Sequence, residues 1–267
     1  MLRKGELLLI LALFLGRSAT SHAQDPRQLV RQAVNTELAA SRADHSQWLF
    51  FEIDSEPGKN VKKWVAQARP ATVQRVIERN GQALTEAQQR QEMEAFMRDP
   101  RAQSKQRKSG EHDDEEAAEL LHILPDAFVW TVQGEKGNDT LLHFKPNPQF
   151  APPNLEARVF AAMEGDMTVN KEQYRIVSLK GKLTRDVKIL GGLIGYLQAG
   201  GTFDVERREI GKRLWQITET HVHIHGHILI FKTISEEEDD VKTHFKQLPS
   251  DISMQHAEAV LFEQAKP

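Results

Sequence analysis

Residues 221 to 231 read HVHIHGHILIF, which sets His221, His223, His225 and His227 at every second position. Imidazole is the commonest metal ligand, and its ordinary pKa of about 6.5 makes it the natural proton switch near neutral pH. On a β-strand, alternate residues share a face, so the four histidines form one row, and Val222, Ile224, Gly226, Ile228 and Ile230 form the other. Two neighbours in the row, roughly 6.5 to 7 Å apart, can share a zinc ion, which needs nitrogen at about 2.0 to 2.1 Å and at least one further ligand. The ends of the row are too far apart to hold a single ion. Carboxylates of SEEEDDV (235–241) could contribute in space, but nothing in their spacing requires it. The four histidines are therefore candidate metal ligands, set against the plainer expectation of a strand with one buried face and one solvated, histidine-bearing face. No metal and no cofactor is expected.

Other chemistry is absent from the pattern. There is no nucleophile elbow, HExxH pair, phosphate-binding loop or dinucleotide-binding glycine pattern. The glycines of GGLIGYLQAGG (191–201) lack the preceding strand, following helix and lysine that a phosphate loop uses. Leu193, Ile194 and Tyr196 instead make that loop an apolar tip, suited to the mouth of a cavity or to an apolar partner. An enzyme is not expected. Acidic residues outnumber basic ones, 38 to 35, with no broad basic stripe, which argues against nucleic acid as a partner.

The chain opens MLRKGELLLILALFLGRSATSHA, with Arg3 and Lys4 ahead of an apolar run from Leu7 to Leu15 and small residues up to Ala23. That order is the signature of a secretory signal peptide over residues 1–23, cleaved near Ala23. The apolar run is about half the ~20 residues that a membrane-spanning helix requires. Export to the periplasm is expected, without a transmembrane segment in the mature chain. Since the chain contains no cysteine, it has neither disulfides nor the lipid-bearing cysteine of a lipoprotein, and burial must stabilise the fold.

The elements that would position these residues are mostly strands. Asp25-Pro26 starts a helix to about residue 43, with Val30, Val34 and Leu38 on one stripe. WLFFEID (48–54) and the segments 60–67 and 72–79, the last closed by Asn80-Gly81, form a meander. Thr85 and Gln88 have the spacing of a capping box for a helix ending at Asp99-Pro100. RAQSKQRKSG (101–110) reads as a solvated connector, and EHDDEEAAEL (111–120) as a further helix, making a charged helical insertion at about 85–122. From Ala127, FVWTV and TLLHF form a hairpin, followed by RVFAAMEGDMTVN, EQYRIVSLKGKLTRDV, GTFDVERREI and RLWQITETHVHIHGHILIFKTI as long strands. No intervening segment is long enough for parallel crossovers. The expected class is α+β: residues 24–267 as one domain, a strongly curved antiparallel sheet with two or three helices packed on it, the helices starting near Asp25 and Glu86 forming a lid.

Gly165 with Val169, the Tyr174-Arg175-Ile176 strand, the Gly191–Gly201 loop, Trp215 and the run RVIERNGQALTEAQ (75–88) resemble the bacterial outer-membrane lipoprotein-sorting superfamily, the LolA-like proteins, over roughly residues 45–245. The resemblance implies a half-open β-barrel that shelters acyl chains beneath helices. Its expected partners are an apolar ligand or lipid, and a lipoprotein or other envelope protein. A monomer is expected. The large apolar strand residues Trp48, Phe50, Trp64, Phe128, Trp130, Phe144, Phe160 and Trp215 are then the candidate cavity lining, each set against plain core packing. Three functions follow: a periplasmic carrier of lipid or another apolar ligand, a metal-dependent enzyme using the histidine row, and an envelope scaffold docking through residues 101–119.

Overall fold

The computed structural model of the protein describes residues 25–189, 195–228 and 232–265; the leader read at residues 1–23 lies outside them, as do Leu193 and Ile194. Asp25 accepts a hydrogen bond from the Arg27 N–H and Pro26 occupies the first turn, so helix α1 begins where its free N–H groups are satisfied and runs Pro26–Ala43. Its buried stripe is Leu29, Val30, Ala33, Val34 and Leu38, with Glu37 set into it. Strands β1 (Gln47–Glu56), β2 (Lys59–Ala66), β3 (Val73–Arg79) and β4 (Gln82–Ala83) follow as an antiparallel meander. The β3–β4 turn places Asn80 at φ 49° and Gly81 at φ 77°, the left-handed pair that this dipeptide accommodates.

Thr85 and Gln88 close a complete capping box on α2 (Glu86–Met97). Residues 101–110 are not a connector. Asp99-Pro100 ends one helix and starts the next: the Asp99 carboxylate accepts from the Arg101 and Ala102 N–H groups, and α3 runs unbroken through Pro100–Ala127. The change from basic to acidic composition lies along a single helix, spanned by the i,i+4 pairs Arg107–Glu111 and His112–Glu116.

β5 (Phe128–Lys136) and β6 (Asp139–Pro146) form the expected hairpin. RVFAAMEGDMTVN is not all strand: Asn154 caps a short helix, α4 (Leu155–Phe160), which takes Phe160 off the sheet, and β7 begins only at Met163 (Met163–Asn170). Then come β8 (Arg175–Leu183), β9 (Val187–Ile189), β10 (Gly195–Leu197), β11 (Thr202–Gly211), β12 (Leu214–Ile228), β13 (Lys232–Leu248) and α5 (Met254–Phe262). Neither β13 nor α5 was expected. Five consecutive carboxylates disfavour a strand, yet β13 is paired throughout, residues 232–241 with β12 and residues 239–248 with β1. The helices number five among the described residues, not two or three.

All thirteen strands belong to one curved antiparallel sheet, ordered β4-β3-β2-β1-β13-β12-β11-β8-β7-β6-β5, with β10 joining β12 and β9; it does not close into a barrel. The helices divide between its faces. On the inner face, α1 and the C-terminal part of α3 pack over β5–β8, burying Leu124, Phe128, Trp130, Phe144, Met163 and Met167. On the outer face, α2 and α5 cover Leu49, Phe51, Trp64, Val73 and Ile77 of β1–β3. α2 is therefore no lid: the helix that continues over the inner face is α3.

Candidate functional site

Between the inner face of β8, β11 and β12 and the helices α1, α3 and α4 lies a cavity of about 1230 Å³. This exceeds the ~300 to 1,000 Å³ of an ordinary small-molecule pocket. Strand alternation builds its wall. In β11 the residues Phe203, Val205 and Arg207 point inward, opposite Val222, Thr220 and Ile217 of β12. A bulge between Glu206 and Arg207 keeps the inward set aligned where β12 carries one residue more than β11. Ile176 and Leu179 of β8, and Leu197 of β10, extend the wall. Leu120, Leu121 and Leu124 of α3, with Leu155, Val159 and Phe160 at α4, form its roof.

Phe203 sits on a glycine. A Cβ on Gly181 would lie 2.3 Å from Phe203 Cε1, and one on its cross-strand partner Gly165 would lie 1.9 Å from the Lys180 carbonyl oxygen. The two glycines therefore allow β7 and β8 to pack closely and the ring to rest on the sheet as part of the cavity wall.

A buried charge cluster interrupts the apolar wall. Glu37, 5 % exposed, reaches from α1 to the sheet and accepts from Arg175 Nε and Nη2 at 3.0 and 2.9 Å and from the Ile176 N–H at 2.8 Å. Arg207 Nη1 approaches the same carboxylate at 2.5 Å. Burial alone would push the Glu37 carboxyl up, but Arg207 and Arg175 outweigh it and hold the pKa below the ordinary carboxylate value. Its ionised form thus anchors α1 to β8 and β11, with two guanidinium groups sharing one carboxylate.

The candidate residues are not gathered in one place. Phe160 and Trp215 line the cavity; the other six aromatics do not. Phe128, Trp130 and Phe144 stack on one another with ring centroids 4.6 to 5.9 Å apart in the solid part of the inner core. Trp48 and Phe50 pack against Phe245, beside the cavity end marked by Leu214. Trp64 faces the opposite side, in the cluster that includes Leu261 of α5. Of the expected mouth residues, Tyr196 pairs with His227 on β12, and it is its neighbour Leu197 that lines the cavity.

His221 and His223 are on the face opposite Val222 and Ile224, away from the cavity, and are half-exposed; His225 is exposed, and the side chain of His227 lies outside the described residues. Their partners are carboxylates of β13. Asp239 is 2.5 Å from His221 Nδ1 and 3.3 Å from His223 Nε2, and Glu237 is 3.5 Å from His225 Nε2. The hydrogen bond to Asp239, outweighing partial burial, raises the His221 pKa above its ordinary value, with Asp204 and Glu219 adding to the effect. Among the described residues no group of three or more His, Cys, Asp or Glu is placed to hold a metal ion. The same pairing recurs at His143 with Asp166 and Glu164, so carboxylate-bound histidine is a general feature of this sheet.

No protein-family model, curated protein or solved structure matches this chain. The site must therefore be read from its own geometry. Sequence reasoning missed Glu37, Arg175 and Arg207, although Glu37 carries a signal: it stands beside Val34 and Leu38 in the buried stripe of α1, where an unpaired charge would be costly. The register of β11 that aims Phe203, Val205 and Arg207 inward depends on pairings that no local pattern specifies.

Proposed function

We propose that this protein binds a lipid or another apolar molecule in the cavity and acts as an exported, non-enzymatic carrier or binding protein of the cell envelope. The observation that carries the reading is the lining: leucine, isoleucine, valine and phenylalanine side chains from four strands and two helices converge on a volume of about 1230 Å³ that the protein itself leaves unfilled. The cavity is open to solvent on one side, and a soluble chain rarely leaves so much contiguous apolar surface facing water unless something covers it. Ile217 on its wall is 42 % exposed, one of the few large apolar side chains left so accessible. The leader-like N-terminus and the likeness to the lipoprotein-sorting proteins agree with this role, with acyl chains as cargo.

The test is uptake of a neutral fluorescent dye, phenylnaphthylamine, together with native mass spectrometry of protein purified from its own cells. Wild type is expected to carry co-purifying lipid and to bind the dye. Val222→Trp, which fills the wall from a half-buried position, is expected to weaken dye binding by about tenfold. A wild-type protein that carries no lipid and takes up no dye overturns the reading.

A further inference from the structure

The wall of the cavity is graded. Along β11 the inward residues run Phe203, Val205, Arg207, so the apolar end, with Ile224 and Leu197 nearby, is separated from the guanidinium by four residues, roughly 13 Å. At the charged end the balance is uneven. Glu37 is shared by Arg175 and Arg207, and Arg175 takes both carboxylate oxygens with two of its N–H groups. Among the described residues, Glu37 is the one polar partner recorded for the Arg207 side chain. Arg213, also on the lining, is exposed, and its nearest carboxylate, Glu209, is exposed and already bonded to Gln173 and to the Arg213 backbone N–H. Away from water, the neighbourhood therefore holds two arginines, Arg175 and Arg207, against one glutamate, Glu37.

We infer that the cavity takes an amphiphile with an anionic head, its chain along Phe203, Val222 and Ile224 and its carboxylate or phosphate on the free N–H groups of Arg207. A guanidinium carries five donors in a fixed fork, and one carboxylate shared with Arg175 leaves most of those of Arg207 for a second anion. A surplus cation beside an apolar wall is compensated by an anionic head, whereas an uncharged ligand leaves it unpaired. The other carboxylates on the lining do not cancel this. Asp114, Glu116 and Glu156 are exposed and lie on helices, where water screens them, and Asp44 is engaged by the Ser46 N–H.

This inference rests on the cavity being a binding site for apolar molecules, and the experiment separates the two. Hexadecanoate, hexadecyl phosphate, hexadecanol and hexadecyltrimethylammonium are each used to displace phenylnaphthylamine from the whole protein, below their micellar concentrations. The two anions are expected to compete about tenfold more tightly than the alcohol, with the cation weakest; the tighter of the two anions identifies the head group. Arg207→Gln is expected to bring the acid-to-alcohol ratio near one, and Arg207→Lys to restore part of it. Ile217→Glu provides a second arm in case Arg207→Gln fails to fold. Residue 217 is the cross-strand partner of Arg207 and is exposed, so a carboxylate there satisfies the guanidinium in place of a ligand and also abolishes the preference. Equal competition by acid, phosphate and alcohol overturns the inference and leaves the apolar site standing. A preference that survives both Arg207→Gln and Ile217→Glu overturns the assignment to Arg207. Failure of every hexadecyl compound to displace dye, or of dye to bind, overturns the underlying reading as well.

Discussion

Two charge clusters are buried on the inner face of the same sheet, and they are built in opposite ways. Glu37, Arg175 and Arg207 join α1 to β8 and β11 with one carboxylate between two guanidiniums, at the wall of the cavity. Glu52, Asp54, Lys63, Asp240 and Lys242 form a ladder across β2, β1 and β13, three carboxylates with two ammoniums, with Lys63 at 2.9 and 3.0 Å from Glu52 and Asp54 and Lys242 at 2.5 Å from Asp240. The first has a positive surplus and opens on a large apolar space; the second has a negative surplus and lies away from that space. In the first, the ion pair outweighs burial and the carboxyl is held ionised. In the second, burial pushes the Asp240 carboxyl up, Glu52 adds to this, and Lys242 offsets only part of it, while one Asp240 oxygen has no hydrogen-bond partner. The lesson is that a buried charge cannot be classed by burial alone: the ratio and geometry of its partners decide whether it anchors the fold or strains it.

Breaking the first cluster is expected to have the largest effect. Glu37→Gln leaves two buried or half-buried guanidiniums facing a neutral group, so the unfolding free energy measured by urea titration should fall by about 3 to 5 kcal/mol. The pH dependence has a definite sign. Because the folded-state pKa of Glu37 is depressed, its stabilisation is complete above the ordinary carboxylate range and is lost as the pH falls through the folded value. Wild type should therefore lose more stability than Glu37→Gln between pH 5 and pH 3. A Glu37→Gln protein as stable as wild type would show that α1 does not depend on this anchor.

The second cluster should respond in the opposite direction. Burial, as the dominant influence on Asp240, disfavours its ionised form, so the group opposes folding above its unfolded pKa. Asp240→Asn removes that charge while keeping the shape, and at pH 7 the urea midpoint should stay put or rise, with a change below about 1 kcal/mol. A loss comparable to that of Glu37→Gln would mean that the two clusters work alike.

The contrast also marks what could be read in the sequence. Helix α1, the β1–β3 meander, the capping box of α2 and the β5–β6 hairpin were legible because each is encoded locally, by Asp25-Pro26, by Asn80-Gly81, by Thr85 with Gln88 and by a turn between apolar runs. β13 was not, because SEEEDDV forms a strand only through cross-strand partners: Asp239 is held by His221 and His223 of β12, and Glu237 by His225. Aromatic content was likewise a poor guide to the cavity. Phe144 and Phe160 are equally apolar in sequence, but one is sealed beneath Phe128 and Trp130 and the other borders the void, a difference set by where Asn154 starts α4. Arg207 of the site sits within VERREI, where it and Arg208 are indistinguishable until the pairing of β11 with β12 fixes which face is inward and leaves Arg208 to pair with Glu219 on the surface.

A third set of charges, on the outer face, should give the smallest effect and sharpens the comparison from the solvent side. His221 gains its partner Asp239 only when β12 and β13 pair, and Asp204 and Glu219 from β11 and β12 lie close enough to raise its pKa further. A histidine whose folded pKa is raised contributes stability in full below its unfolded value of about 6.5 and loses it as the pH rises through the folded value. The contribution belongs to a half-exposed pair and is correspondingly modest. The urea midpoint of wild type should decline slightly across the window just above pH 6.5, and His221→Gln should flatten that decline without altering dye uptake, since its side chain is turned away from the cavity. An unchanged slope in His221→Gln would show that Asp239 does little for the histidine in solution. A change in dye uptake would mean that the two faces of β12 are coupled, and that the row which alternates so regularly with the apolar wall is sensed from inside.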